Sequence, residues 1–353
     1  MKILHVITSL ELGGAERLMV DLLPEQKKLG HQVDLLVLDL RGEVFLKKLK
    51  TAGITVYSTN LGDRKSFKNI FKINKRIKEG NYHVVHAHLT HGQYWTSLSR
   101  YLDFASERVY VTTEHSTSNR RRNSTLLKII DRIIYGNFDR IASISSAVES
   151  SLLKWLGNQV KGRSEIIENG IDLKKYSRRV RRESNKKLLM LARFHSSKDH
   201  GTPIRAMEHL PEEYTLTFAG DGETIEEYKA LVRELKLEKR VTFLGFCRDI
   251  PELLNTHDIG IQSSYYEGFG LGALEAMASG LPVIATDVPG LRDVIQEGGL
   301  LFPLGDIEKL MESLRYLENQ EVYTTMSEKA LENSEKFSIE NTAKKYIEFY
   351  NNR

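Results

Sequence analysis

Two α/β units in tandem, each a doubly wound parallel sheet, are the fold this sequence predicts. Three observations carry the prediction: short apolar runs without alternation, segments of helical period between them, and 353 residues, more than one core ordinarily organises. The first half reads ILHVIT, VDLLVLD, ITVYS, HVVHAH, RVYVTT and RIASIS as strands buried on both faces. Segments such as AERLMVDLLPEQKKLG, apolar at helical spacing, supply the crossovers between them. After EIIENGIDLKKY the pattern gives way to a basic, polar linker near positions 172–185. KLLMLA, YTLTFAG, RVTFLG, DIGIQS, PVIAT and GLLFP then repeat the alternation. The closing FSIENTAKKYIEFYNNR predicts a helix capped by Ser338.

Composition narrows the class. Hydrophobic content of 41% and charged content of 28% describe a globular chain with apolar surface for two cores. Cys247 is the single cysteine, so no internal disulfide can form, and a reducing, cytoplasmic compartment is expected. The opening MKILHVITSL lacks a cleavage site and reads as a first strand, and no apolar run reaches membrane-spanning length. A net charge of +4 is too mild to suggest nucleic acid. The basic residues nevertheless cluster, in DRKSFKNIFKINKRIKEG, in NRRRN at 119–123 and in KKYSRRVRR at 174–182. In the first cluster a helix is expected to pack through Phe67, Ile70, Phe71 and Ile77. Lys65, Lys68, Lys72, Lys75 and Arg76 are left to meet anionic lipid, at about 1 kcal/mol per basic residue. NRRRN is a second candidate for lipid phosphate.

The chemistry concentrates at strand ends of the second half. SSYYEGFGLGALEAMASG is a loop after a strand followed by a helix beginning near Gly270 or Leu271. Ligands of open α/β sheets bind where strands end and helix N–H groups point outward. Gly268, Gly270 and Gly272 remove β-carbons where an anion would meet those groups. Glu275, one turn inside the helix, suits a vicinal diol, and Glu267 projects from the loop. In LLMLARFHSSKDHG, Arg193 and Lys198 follow a strand and could clamp a diphosphate. In TFAGDGE, a strand ends at Gly220 and Gly222, again permitting close approach. Each feature alone also fits a solvated turn. Three strand ends of one unit with complementary features favour a phosphorylated ligand.

The segments GGAER, VVHAHLTHG, TTEHS, SISSAV, ENGID, ARFHSSK, FAGDG, VTFLGF, EGFGLGALEAMASGLPVIATDVPG and GLLFPLGD occur in that order. Together they resemble the retaining glycosyltransferases of family 4, which have the GT-B fold. The spacing of Glu267 and Glu275 matches the family's paired-glutamate motif. The resemblance implies two Rossmann-like domains facing across a cleft: 1–172 for the acceptor, joined by a returning C-terminal helix at 338–353, and 173–337 for the donor. It implies Arg193 and Lys198 on the donor diphosphate, aided by backbone N–H groups of Gly268, Phe269, Gly270 and Leu271. Glu275 would bind ribose, Gly220 and the backbone of Phe246, Cys247 and Arg248 would lie near the nucleotide, and Gly13 and Gly14 near the diphosphate. Gly14, His88 and His91 fall on the acceptor side. Glu267 and His115 would contact the transferred sugar, so Glu267, His115, Arg193 and Lys198 are the expected catalytic set. One departure is Asp199-His200 where the family often has glycine after the lysine.

A UDP-sugar donor, a saccharide or lipid-linked saccharide acceptor of a bacterial surface polysaccharide, and no metal or other cofactor follow as expectations. So does a monomer or homodimer at the inner face of the membrane. A metal at His86, His88 and His91 is disfavoured, with the rings of His86 and His88 expected on opposite faces of their strand. His5 and His195 are assigned structural or peripheral roles, and Cys247 is read as a small buried or half-buried residue rather than a nucleophile. LELGGAER with Asp39 imitates a dinucleotide fingerprint, but its glycines are adjacent and no G-x-G-x-x-G follows. The rival readings are a UDP-N-acetylglucosamine 2-epimerase of the same architecture, which would change the sugar nucleotide without acceptor, and a non-catalytic sugar-nucleotide-binding protein.

Overall fold

The computed structural model describes residues 1–11, 13–103, 107–117, 122, 124–176 and 186–352. They form two compact units, one of residues 1–170 with 339–353 and one of residues 171–338. The sequence puts the junctions at 172/173 and 337/338, two residues after the first of the observed boundaries and one before the second.

The first unit is built on seven parallel strands, β1 (Lys2–Ser9), β2 (Gln32–Asp39), β3 (Thr55–Ser58), β4 (Val84–His88), β5 (Val109–Glu114), β6 (Arg140–Ser143) and β7 (Ser164–Ile166). Their order is β3-β2-β1-β4-β5-β6-β7, so the direction of winding reverses between β1 and β4. The helices are α1 (Gly14–Lys28), α2 (Glu43–Thr51), α3 (Asn69–Gly80), α4 (Thr90–Ser99), α5 (Thr125–Gly136) and α6 (Ser146–Leu156). Ile3 and Ile7 of β1 pack toward α1, whereas Leu4 and Val6 pack with Ile73 and Ile77 of α3. Both faces are covered, which is why the strands read as unbroken apolar runs. The C-terminal helix α14 (Ile339–Asn351) joins this unit. Ile339, Ala343, Tyr346, Phe349 and Tyr350 recur along one stripe and bury against α1.

The second unit has six parallel strands, β8 (Lys187–Leu191), β9 (Thr215–Ala219), β10 (Val241–Phe243), β11 (Ile259–Gln262), β12 (Val283–Thr286) and β13 (Gly299–Phe302). The order is β10-β9-β8-β11-β12-β13, reversing between β8 and β11. Helices α7 (Gly201–His209), α8 (Ile225–Glu234), α9 (Ile250–Asn255), α10 (Leu271–Ala278), α11 (Pro289–Ile295), α12 (Ile307–Tyr316) and α13 (Gln320–Glu335) cover it. Every strand expected from the sequence is present. The additional β7 is a three-residue strand at the sheet edge, too short for a periodic signal.

Candidate active site

The switch point of the second sheet gathers the residues singled out by the sequence. Arg193 and Lys198 lie beyond the end of β8, and Ser264 and Glu267 beyond the end of its neighbour β11. The two loops run against one another: Asp199 donates its N–H to the Ser263 carbonyl at 3.1 Å, and Tyr265 donates to that of Ser197 at 3.0 Å. This pairing brings the Lys198 ammonium onto the Glu267 carboxylate, with Ser264 Oγ 3.3 Å from Lys198 Nζ. Both charged side chains are largely shielded from solvent, at 15% and 16% exposure. Arg193 is exposed, and its guanidinium has no partner among the described residues.

Backbone geometry fixes the surroundings. Gly270 sits at φ 99°, a left-handed conformation, and ends the loop one residue before α10. No side chain caps that helix, so its first N–H groups remain available at the strand ends. Glu275 is buried one turn further on, and Phe269 is buried edge-on to Phe337. At Gly220 a β-carbon would stand 1.9 Å from the Ala192 carbonyl oxygen, so this glycine lets β9 end against the loop that carries Arg193. Gly220 also donates to the Gly245 carbonyl at 2.8 Å, which aligns the loop of Phe246, Cys247 and Arg248 beside it. Phe246 and Arg248 are exposed there. Cys247 is half-buried, and burial raises its thiol pKa, as suits a small packed residue.

Asp199 and His200, the departure from the family pattern, are structural. Asp199 accepts from Ser263 Oγ at 2.7 Å and from the Thr202 N–H at 3.1 Å, tying the Lys198 loop to α7. His200 stacks on Phe194 at 4.0 Å, and burial drives its pKa down to about 3. The glycine comes two positions later, as Gly201 at the start of α7.

In the first unit, Gly13 and Gly14 form the N-terminus of α1 after β1, and His91 is half-buried in the first turn of α4. His115 follows β5, its ring against that of His88. His88, expected on the acceptor side, is instead fully enclosed: its nitrogens meet His5 at 2.9 Å and His115 at 3.2 Å. His5, assigned a structural or peripheral role, is structural: it stands at the middle of this cluster.

The rings of His86 and His88 also share one face, with centroids 4.0 Å apart. Side chains alternate with period two, so residues two apart point the same way and the opposite-face expectation fails. With His5 they are close enough to ligate an ion. Yet His86 is engaged by Tyr350 and Thr113, each at 2.7 Å, His5 by Gln26 and His88, and His88 by His5 and His115. All six ring nitrogens therefore already have partners, and an ion would have to displace them. The sequence carried no signal for this cluster, because it arises from the register that sets His5 beside His86.

The basic helix needs correction too. Asn69, Ile73, Asn74 and Ile77 are its buried residues, while Phe67 and Phe71 are 62% and 58% exposed. Arg76 lies 4.2 Å over the Tyr57 ring and 3.3 Å from Glu79, so its charge is engaged within the unit. Of NRRRN only Arg122 is described, and it pairs inward with Glu114 at 3.8 Å. Residues 119–121 and 123, and most of KKYSRRVRR, lie outside the described residues.

Fold and site together define a class: two Rossmann-like units, one with a switch point of cations, carboxylates and an uncapped helix start suited to a phosphorylated ligand. Residues 174–337 match the family described as Glycosyl transferases group 1, and residues 12–175 match Glycosyltransferase Family 4. Putative glycosyltransferase EpsF of Bacillus subtilis is 28% identical over 306 residues, which is 81% of this chain and 79% of the relative. N-acetylgalactosamine-N,N'-diacetylbacillosaminyl-diphospho-undecaprenol 4-alpha-N-acetylgalactosaminyltransferase of Campylobacter jejuni is 27% identical over 235 residues, 64% of each chain. The crystal structure of Anabaena HepE in complex with UDP and glucose superimposes with a TM-score of 0.85 at 21% identity, covering 99% of this chain and 98% of that one. The chain belongs to glycosyltransferase family 4, the group 1 glycosyltransferases, and has the GT-B fold. It is an enzyme of hexosyl transfer.

Proposed function

We propose that this glycosyltransferase moves a hexosyl or N-acetylhexosaminyl unit from a UDP-sugar to a lipid-linked saccharide during surface-polysaccharide synthesis, with retention of configuration and without a metal. The observation that carries the donor half is the exposed, unpaired Arg193 beside Lys198, Glu267 and the uncapped start of α10. As the bond from the sugar's anomeric carbon to phosphate breaks, negative charge grows on the departing diphosphate. A cation 4 Å away contributes about 4 kcal/mol at an effective dielectric near 20, and a helix start about 0.3–1 kcal/mol more. Only the part of this that strengthens in the transition state speeds the reaction. The acceptor oxygen bonds to the anomeric carbon on the face that phosphate leaves, and the acceptor's proton passes to a phosphate oxygen. Glu267 and His115 hold sugar hydroxyls, Glu275 the ribose. The UDP preference is supported by the UDP complex of the Anabaena relative, and the lipid-linked acceptor by the Campylobacter relative's name.

An inner-membrane location adds to this reading. No helix among the described residues is long and apolar enough to cross a membrane. Lys65, Lys68 and Lys72 are exposed beside Phe67 and Phe71. Leu126, Ile129 and Ile133 of α5 add an exposed apolar stripe in the same helical layer, with α4 packed between. Cations with exposed aromatic and aliphatic groups are what an anionic bilayer surface binds.

The test is a panel of nucleotide diphosphates and their sugars scored by thermal stabilisation, with and without EDTA. UDP at one hundred times its dissociation constant should add about 2.7 kcal/mol of stability. UDP-sugars should hydrolyse slowly without acceptor, and chelator should change neither result. If no nucleotide diphosphate stabilises the protein, the donor assignment fails. If UDP-N-acetylglucosamine is epimerised in the absence of acceptor, the rival isomerase is correct.

A further inference from the structure

Inside the first unit a single file of hydrogen bonds runs from α1 to the end of β5. Gln26 Oε1 meets His5 Nε2 at 2.9 Å, His5 Nδ1 meets His88 Nε2 at 2.9 Å, and His88 Nδ1 meets His115 Nε2 at 3.2 Å. At the far end, His115 Nδ1 is buried with no hydrogen-bond partner among the described residues. Burial holds His5 and His115 at a pKa of about 4 and His88 well below the ordinary imidazole value, so all three rings are neutral near pH 7.

A neutral imidazole has one N–H and one lone pair. Rings in single file must therefore all donate in the same direction, and fixing one fixes the rest. Gln26 sets that direction. Its amide N–H donates to Tyr350 Oη at 3.3 Å, which leaves Oε1 to accept from the His5 Nε2–H. His5 Nδ1 then accepts from the His88 Nε2–H, and His88 Nδ1 from the His115 Nε2–H. His115 is left with a bare lone pair on Nδ1.

We propose that Gln26, His5 and His88 are positioning residues that lock the tautomer of His115, so that His115 offers a hydrogen-bond acceptor, never a donor, to a substrate hydroxyl. The substrate half of this statement rests on the reading of His115 as a contact of the transferred sugar; the relay does not. Gln26 also ties the file to α14 through Tyr350, whose hydroxyl lies 2.7 Å from His86 Nδ1. Turning the Gln26 amide over would reverse every donor in the file and leave an N–H on His115 Nδ1. The direction of one amide is thus written onto a ring two histidines away.

The experiment uses the full-length protein labelled with ¹⁵N-histidine, its ring nitrogens read by long-range proton–nitrogen correlation. His115 signals are assigned by their loss in His115→Gln. In the unaltered protein near pH 7, His115 should carry its proton on Nε2 only. Gln26→Leu removes the acceptor that begins the file, and His115 should then populate both tautomers. Transfer should slow about tenfold at saturating donor. Gln26→Glu, whose carboxylate accepts, should keep the Nε2–H form and the rate. A proton on Nδ1 of His115 in the unaltered protein overturns the proposal without any variant having to fold. So does a folded Gln26→Leu protein whose His115 tautomer is unchanged. A tautomer that shifts while transfer kinetics stay constant upholds the relay and overturns the contact between His115 and the sugar.

Discussion

Lys198 and Glu267 neutralise one another, whereas Arg193 presents its full charge to solvent. In the proposed donor site a diphosphate would gain from Arg193 outright, but would have to draw Lys198 away from a carboxylate that also repels it. The two residues therefore predict opposite effects on UDP affinity. Arg193→Ala removes a charge-assisted hydrogen bond of about 1.5–3 kcal/mol, a loss of roughly tenfold to a hundredfold. Glu267→Gln frees Lys198 and removes the repulsion, so UDP should bind a few-fold more tightly while transfer slows. Calorimetric titration with UDP reads both, and equal weakening in the two variants would contradict the arrangement. The spacing of Glu267 and Glu275 was legible in the sequence because a strand, a loop and one helical turn fix it locally. The contact of Lys198 with Glu267 was not. It depends on β8 and β11 lying side by side, sixty-odd residues apart in the chain, which is a property of strand order.

At the scale of elements, α3 shows where periodicity stops being enough. Its apolar residues spread over nearly half the helix circumference, from Ile73 round to Phe71, and the sequence alone does not say which part of that arc meets the sheet. The buried arc is centred on Ile73 and Ile77. Phe67 and Phe71 fall just outside it, on the same side as Lys68 and Lys72. In α14 the apolar residues spread as widely, but Ile339, Ala343, Tyr346 and Tyr350 crowd the middle of the arc, and that middle is buried. The face of α3 proposed to meet lipid would combine charge with aromatic insertion. Lys68→Gln with Lys72→Gln should reduce sedimentation with vesicles containing anionic phospholipid, and the loss should be largest at low salt. Phe67→Ser with Phe71→Ser should reduce it at all salt concentrations, because apolar transfer is not screened. Both pairs are exposed, so stability should change little. Retention of binding by all of these variants would leave α3 as a solvated helix, and the α5 stripe would be next in line.

For the whole molecule, the histidines make the two units unequal in acid. His5, His86, His88 and His115 are buried in the first unit and His200 in the second, and burial lowers the pKa of every one. The unfolded chain takes up protons on these rings as pH falls through about 6.5, while in the folded chain His5 and His115 stay neutral down to about 4, His200 to about 3, and His86 and His88 to well below the ordinary imidazole value. Between those values the unfolded state binds more protons, so stability rises with pH and is lost on acidification. His5 alone accounts for about 3 kcal/mol by pH 4, against a total of roughly 5–15 kcal/mol for a typical domain. Four such rings bear on the first unit and one on the second, so the first unit should unfold first as pH drops from 6.5 toward 4. Trp95 and Trp155, the two tryptophans of the chain, both belong to that unit. Their fluorescence should report unfolding at a higher pH than the loss of helical circular dichroism from the chain as a whole. Near pH 7 the two signals should lie much closer together. Coincident transitions at every pH would mean that the two units unfold as one. A fluorescence change that lags the dichroism would mean that the buried histidine cluster is not the acid-sensitive part of the protein.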